Sequence, residues 1–181
     1  MNLNFCDRIK REKNVIDFVD LEHLALKILT VRGEDGVYRP GRAAIAYRQY
    51  FDEILIDEYQ DSNEVQEVLL RMISTEDEGV YNRFMVGDVK QSIYKFRLAR
   101  PEIFMEKLGD YRKLDKEKER IDLDSNFRSR AEVLDSVNEV FFRIMRREIG
   151  GVEYDDEVSL KTGASYPAAS DPDDYKTELL L

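Results

Sequence analysis

Asp57 and Glu58 follow directly on Ile54-Leu55-Ile56, so three apolar residues run straight into an acidic pair. A continuous apolar run bounded by charge reads as a strand buried on both faces, as in parallel sheets covered by helices. Ligands of such sheets sit just beyond the carboxyl ends of the strands, where Asp57 and Glu58 lie. One carboxylate there can hold Mg²⁺, directly or through water, and the next can orient a water for attack on a phosphate. The same acids could instead simply open the following helix, where negative charge suits the dipole.

Two more polar clusters follow runs that read as strands. Gly87-Asp88-Val89-Lys90-Gln91-Ser92-Ile93-Tyr94 comes after Arg83 to Val86, and Asp124-Ser125-Asn126-Phe127-Arg128-Ser129 comes after Ile121 to Leu123. If both runs are strands of one parallel sheet, all three clusters gather on one edge. The edge then carries a metal-binding acid, a neutral amide and an arginine.

The elements that must position them alternate. Asp20 reads as the N-cap of a helix through about Thr30, with Leu21, Leu24, Ala25 and Ile28 on its core face. Gly33, Gly36, Pro40 and Gly41 mark a loop, and a short helix over about 43–50 leads into the 54–56 strand. Asp61-Ser62-Asn63 caps a helix striped by Val65, Val68, Leu69 and Met72. Pro101 opens another helix, through about Tyr111, and residues 115–120 are a charged surface loop. The longest helix runs from about Ser129 to Glu148, with Val133, Val137, Val140, Phe141 and Ile144 inward, and Gly150-Gly151 ends it. Strand and helix alternate throughout, which predicts an α/β layer built on a parallel sheet. Three segments are expected: a helical lead-in over 1–50, the motif-bearing domain over 51–149, and an acidic connector over 150–181.

Composition narrows the chemistry. One cysteine, Cys6, and one histidine, His23, argue against a disulfide framework and against a zinc or iron–sulfur site. A reducing, cytoplasmic setting follows. Neither a bilayer-spanning apolar run nor a signal-peptide pattern is present. The net charge of −10 argues against a protein that coats nucleic acid generally. Charge is uneven, however: residues 83–100 carry Arg83, Lys90, Lys95, Arg97 and Arg100 against Asp88 alone.

Together the three clusters resemble motifs of superfamily-one DNA helicases of the UvrD/Rep kind. Asp57 to Asp61 is similar to motif II, the Asp-Glu-x-Gln-Asp form of Walker B; GDVKQSIYKFR (87–97) is similar to motif III; LDSNFRS (123–129) is similar to motif IV. The runs LARPEIF (98–104), EYQDSNEVQ and NFRSRAEVLDSVN resemble, more narrowly, the AddA/RexA subunit of bacterial helicase–nucleases that repair double-strand breaks. The resemblance covers about residues 14–167 and implies ATP and Mg²⁺ as cofactors. It implies that Asp57 binds Mg²⁺, Glu58 activates the hydrolytic water, and Gln91 senses the γ-phosphate. Arg128 becomes an arginine finger, a role worth about 10³–10⁵ in phosphoryl-transfer rate. Tyr94 and Phe96 meet single-stranded DNA, where stacking is worth roughly 1–3 kcal/mol per base whatever the sequence, and Arg97 couples nucleotide to strand. On the residues alone, other readings stay open. Tyr94 and Phe96 could be core rings, Arg97 and Arg100 surface ion pairs, Asp61 a helix cap, and Arg128 a tie between Asp124 and the next helix.

No Gly-x-x-x-x-Gly-Lys-Ser/Thr occurs in these 181 residues, and the later helicase motifs and a nuclease segment are not seen either. Without the loop amides and lysine there is no cradle for the β- and γ-phosphates. The expected fold is therefore a partial RecA-like domain, a short parallel sheet flanked by helices without its Walker A portion. The expected function is part of an ATP-driven motor that acts on single- and double-stranded DNA with an AddB/RexB-type partner, the piece alone being inactive and inclined to self-associate. Two competing readings are a non-catalytic nucleotide- or DNA-binding module and an acidic DNA mimic.

Overall fold

The computed structural model describes residues 5–94, 96, 98–112, 117–150, 152–168, 170–171 and 174–178. They form two compact units, residues 1–119 and 120–181. The architecture is mixed α/β with short two-stranded sheets, two of them parallel and one antiparallel. Among the described residues no helix is long and apolar enough to cross a membrane.

The first unit begins with α1 (Phe5–Lys13) and α2 (Phe18–Leu29). The cap of α2 is Asp17, three residues before the expected Asp20. The Asp17 carboxylate accepts the Asp20 N–H, and the Asp20 carboxylate accepts the Asp17 N–H, both at 2.9 Å. This reciprocal box satisfies two amides at once, so the helix starts at the first acid. Lys10 Nζ bridges both carboxylates at 2.7 and 2.8 Å. The expected loop after α2 is instead a hairpin, β1 (Thr30–Arg32) antiparallel to β2 (Tyr38–Pro40). Its turn needs Gly36, whose φ of +78° lies in the left-handed region.

α3 (Arg42–Tyr50) leads to β3 (Ile54–Ile56), and α4 (Glu64–Ile73) leads to β4 (Arg83–Met85). β3 and β4 pair in parallel, with Ile54 opposite Arg83, Leu55 opposite Phe84 and Ile56 opposite Met85. The expectation that this sheet is buried on both faces does not hold. Leu55 is 70% exposed and Phe84 56% exposed, while Ile54 and Arg83 are buried. Cover comes from one side, where Arg83 meets Glu67 of α4.

Arg83 also changes the electrostatic reading of residues 83–100. Its side chain is buried between Glu67 (3.1 Å) and Glu76 (2.5 Å). Burial works against its charge, but the two carboxylates outweigh burial and raise its affinity for the proton. Lys90 pairs with Asp88 at 2.9 Å, and Arg100 pairs with Glu64 and Glu102. The described basic residues of this stretch are thus each paired with acids, most of them from outside it, while Lys95 and Arg97 lie outside the described residues.

Asn63 caps α4 as expected, in a box with Gln66. Glu22 of α2 accepts hydrogen bonds from the side chains of both capping residues, at 3.0 and 2.8 Å, which docks α2 on the start of α4. α5 (Pro101–Asp110) starts at its proline.

In the second unit, β5 is Ser125–Asn126 and pairs in parallel with β6 (Lys161–Thr162). The strand expected at 121–123 is not formed, and Leu123 is 88% exposed. The three strand pairs of the described residues are separate two-stranded sheets. α6 (Ala131–Ile144) stops before the expected Glu148 and is followed by α7 (Arg147–Gly150). Its inward phase also differs from the expected stripe: Leu134 is buried, whereas Val133, Val140 and Ile144 are exposed. The reason is the partner surface, since residues 152–168 fold back onto this helix. Asn138 accepts from the Tyr154 hydroxyl (2.7 Å) and the Leu160 N–H (3.0 Å), and donates to the Leu160 carbonyl (3.0 Å).

Candidate functional site

The parallel pairing of β3 and β4 ends both strands on the same side. The ladder continues one step past each strand: Val86 N–H donates to Ile56 O at 2.8 Å, and Tyr59 N–H donates to Val86 O at 2.9 Å. Asp57 and Glu58 arch outward between these two anchored points and are both exposed.

Glu58 adopts φ 51°, ψ 40°, a left-handed conformation that costs a residue with a Cβ roughly 1–2 kcal/mol. Surrounding bonds hold it there. Asp57 Oδ1 accepts the Glu58 N–H at 2.9 Å, and Glu58 O accepts the Asp61 N–H at 2.9 Å, starting a 3-10 turn over Tyr59–Asp61. Tyr59 is fully buried, its ring edge-on to Phe104 of α5 at 5.7 Å. The Tyr59 hydroxyl donates to Glu67 Oε2 at 2.5 Å. Burial, then the Glu67 carboxylate, push the phenol pKa up. Strain at one exposed carboxylate, fixed by buried neighbours, is the pattern expected where geometry serves chemistry.

Gln60, next in line, is 1% exposed. Its amide nitrogen donates to Glu58 Oε2 at 2.6 Å and its amide oxygen accepts the Asp88 N–H at 3.0 Å. Asp88 in turn accepts from Lys90 N–H (3.0 Å) and Gln91 Nε2 (3.1 Å). Burial raises the Asp88 pKa, but Lys90 and Gln91 outweigh it and hold the carboxyl below the usual range. Asp61 shifts the other way, pushed up by burial and then by Glu58. Its Oδ1 is buried with no hydrogen-bond partner among the described residues. A shallow open depression runs from Asp57 and Glu58 past Asp61 to Gln66 and Leu69.

The structure therefore brings Asp57, Glu58 and the loop carrying Gln91 to one end of a strand pair, with the Gln91 side chain turned onto Asp88. Tyr94 and Phe96 follow on that loop with ring centroids 5.9 Å apart. Both are exposed, Phe96 at 76%, so neither is a core ring. Arg97 lies outside the described residues. Arg100 is the surface ion pair that the sequence left open.

Arg128 belongs to the second unit. Asn126 Oδ1 accepts the N–H groups of both Arg128 and Ser129 at 2.9 Å, and the Tyr166 hydroxyl donates to Arg128 O at 2.8 Å. The backbone is thus fixed on both sides while the side chain is exposed. Arg128 does not tie down Asp124. That carboxylate accepts from Ser125 Oγ (2.9 Å) and Lys161 Nζ (3.3 Å), and these two contacts, in that order, hold its pKa low.

Sequence reasoning missed Gln60, Tyr59 and Asn126 as organising residues. For Gln60 the sequence signal was its place two residues after Glu58 and next to Asp61, and the structure adds that it faces Gly87. A Cβ on Gly87 would lie 2.6 Å from Gln60 Oε1, so the close approach needs glycine.

A Mg²⁺ ion fits Asp57 on its donor chemistry. The side chain offers exposed hard oxygen, and Mg²⁺ commonly binds one or two carboxylates together with waters and phosphate oxygens rather than an all-protein cage. Among the described residues no group of three or more His, Cys, Asp or Glu forms such a cage.

A strained acidic arch at the end of a parallel strand, with a second polar loop beside it, defines an α/β domain with a polar site at its strand ends. The chain belongs to the UvrD/REP helicase N-terminal domain family, whose profile matches residues 4–112. Among curated proteins it is similar to the AddA subunit of the ATP-dependent helicase/nuclease of Lachnoclostridium phytofermentans, 54% identical over 183 residues, or 97% of this chain and 13% of the relative. The protein of the same name from Clostridium kluyveri is 54% identical over 159 residues (87% and 13%). That of Bacillus cytotoxicus is 51% identical over 167 residues (90% and 13%). The chain spans about 13% of the length of these relatives.

Proposed function

We propose that the chain is a segment of an AddA-type, ATP-dependent DNA helicase/nuclease that translocates on DNA and unwinds it during double-strand break repair and recombination. The observation that carries this reading is the shared ending of β3 and β4, which sets Asp57 and Glu58 beside the loop of Asp88 and Gln91. Bound ATP would supply the phosphoryl group, and Mg²⁺ would neutralise charge on its phosphate oxygens. Asp57 holds the metal, and Glu58 orients the attacking water and takes its proton. Gln91 reads the γ-phosphate, and Arg128, with its fixed backbone and exposed guanidinium, neutralises charge as the phosphoryl group transfers. Tyr94 and Phe96 offer exposed rings to single-stranded DNA, and Arg97, next in sequence, links nucleotide and strand. The segment works in the cytoplasm, within the full-length protein and together with an AddB/RexB-type partner. Alone it lacks a phosphate cradle and does not turn over.

Steady-state ATP hydrolysis with single-stranded DNA tests this. The full-length protein turns over and Glu58→Gln abolishes turnover, while the 181-residue chain is inactive. Turnover by the chain alone that Glu58→Gln abolishes would overturn its inactivity. Full-length turnover indifferent to Glu58→Gln would overturn the assignment of the base.

A further inference from the structure

We propose that Gln60 is the positioning residue of this site, fixing one oxygen of the Glu58 carboxylate in register with the Asp88–Gln91 loop. The proposal rests on the reading of Glu58 as the group that handles the attacking water.

The orientation of the Gln60 amide is set by its partners. A carboxylate can only accept and a backbone N–H can only donate. The amide nitrogen must therefore face Glu58 Oε2 (2.6 Å) and the amide oxygen must face the Asp88 N–H (3.0 Å). A hydrogen bond to an ionised acceptor is about twice as strong as a neutral one. Gln60 makes it from a site 1% exposed, where water competes poorly. Gly87 leaves the room for this contact, since any Cβ there would fall 2.6 Å from Gln60 Oε1 and 3.3 Å from its backbone nitrogen.

Glu58 needs such a hold. Its left-handed backbone fixes where the side chain leaves the chain, but the exposed carboxylate can still rotate. Gln60 fixes one oxygen and leaves the other to face water. The same side chain extends the connection, because Asp88 accepts from Gln91 Nε2 at 3.1 Å. The resulting run Glu58–Gln60–Asp88–Gln91 links the water-handling acid to the phosphate-reading amide. Lys90 holds the far side of Asp88. A residue that only filled space at position 60 would need neither polar contact.

The test uses Gln60→Glu and Gln60→Leu in the full-length protein, with Glu58→Gln as control. Gln60→Glu keeps the size and the acceptor toward Asp88 but loses the donor toward Glu58. The expected result is a fall in kcat for ATP of about 10–100-fold, the usual cost of losing a supporting partner, with KM for ATP changed less than threefold. Wild-type kcat in both Gln60 variants, with Glu58→Gln inactive, would overturn the proposal and leave the role of Glu58 intact. Activity in Glu58→Gln would instead overturn the reading beneath it. If the variants fail to fold, nuclear magnetic resonance of the wild-type chain decides. The Gln60 side-chain amide protons should exchange slowly with solvent and resonate away from the positions of an exposed glutamine, and exchange as fast as an exposed amide would refute the contact.

Discussion

Nη1 of Arg83 lies 3.1 Å from each carboxylate oxygen of Glu67, and the arginine side chain is 1% exposed. A charge pair so placed is held by geometry, since removing one member strands the other away from water. Arg83→Met should cost about 3–5 kcal/mol, the usual range for breaking a buried pair. Arg100→Ala, at an exposed pair, should cost less than about 1 kcal/mol. Urea unfolding of both variants separates the cases, and equal midpoints would contradict the difference in burial.

Glu58→Gly and Glu58→Ala both lose the contact with Gln60, but only glycine relieves the positive φ. The glycine variant should be more stable than the alanine variant by about 1 kcal/mol. An alanine variant as stable as the glycine one in denaturant titrations would show that the left-handed geometry is not held in solution.

The same substitution should have opposite signs at two glycines. A Cβ on Gly87 meets Gln60 and, at 3.1 Å, Phe104, so Gly87→Ala should lose about 1–3 kcal/mol by overpacking. Gly109 lies in α5 with nothing within 4 Å of the new Cβ. Gly109→Ala should gain about 0.5–1 kcal/mol through helix propensity. Thermal melts read both, and a destabilised Gly109→Ala would argue against the helix there.

Asp88 gives the acid limb of stability a sign. Its folded carboxyl lies below the usual range, so its contribution is present above the ordinary aspartate value of about 3.9. It is lost as pH falls through the lower folded value. The stability gap between wild type and Asp88→Asn should therefore be full at pH 7 and 5 and should shrink toward pH 2. Asp61, shifted upward, acts in the opposite sense in both proteins, which is why the comparison needs the single substitution. A gap that stays constant across this range would remove the ionic role of Asp88.

Local signals in the sequence were reliable where one residue type does one job. Asn63 as a cap, Pro101 at a helix start, and Ile54 to Ile56 as a strand ending at Asp57 all follow from short-range chemistry. What failed depends on partners far along the chain. The apolar run at 121–123 looked like a strand, yet the pairing partner Lys161–Thr162 selects Ser125–Asn126. Arg83 added to the local positive charge of residues 83–100 by sequence, yet Glu67 and Glu76 enclose and neutralise it. The cap of α2 failed for a local reason instead: Asp17 and Asp20, three residues apart, satisfy each other, so the helix starts at the first of them. For the site, the acids were legible from their types, but the role of Gln60 depends on where β4 ends.

Leu55 and Phe84 stand opposite each other on the water-facing side of the strand pair. An apolar fluorophore such as anilinonaphthalene sulfonate, whose brightness commonly signals loosened packing, has a ready foothold on that greasy patch while every helix is still in place. Dye emission from this protein therefore reports an uncovered sheet before it reports unfolding, and Leu55→Thr would dim it without any change in circular dichroism.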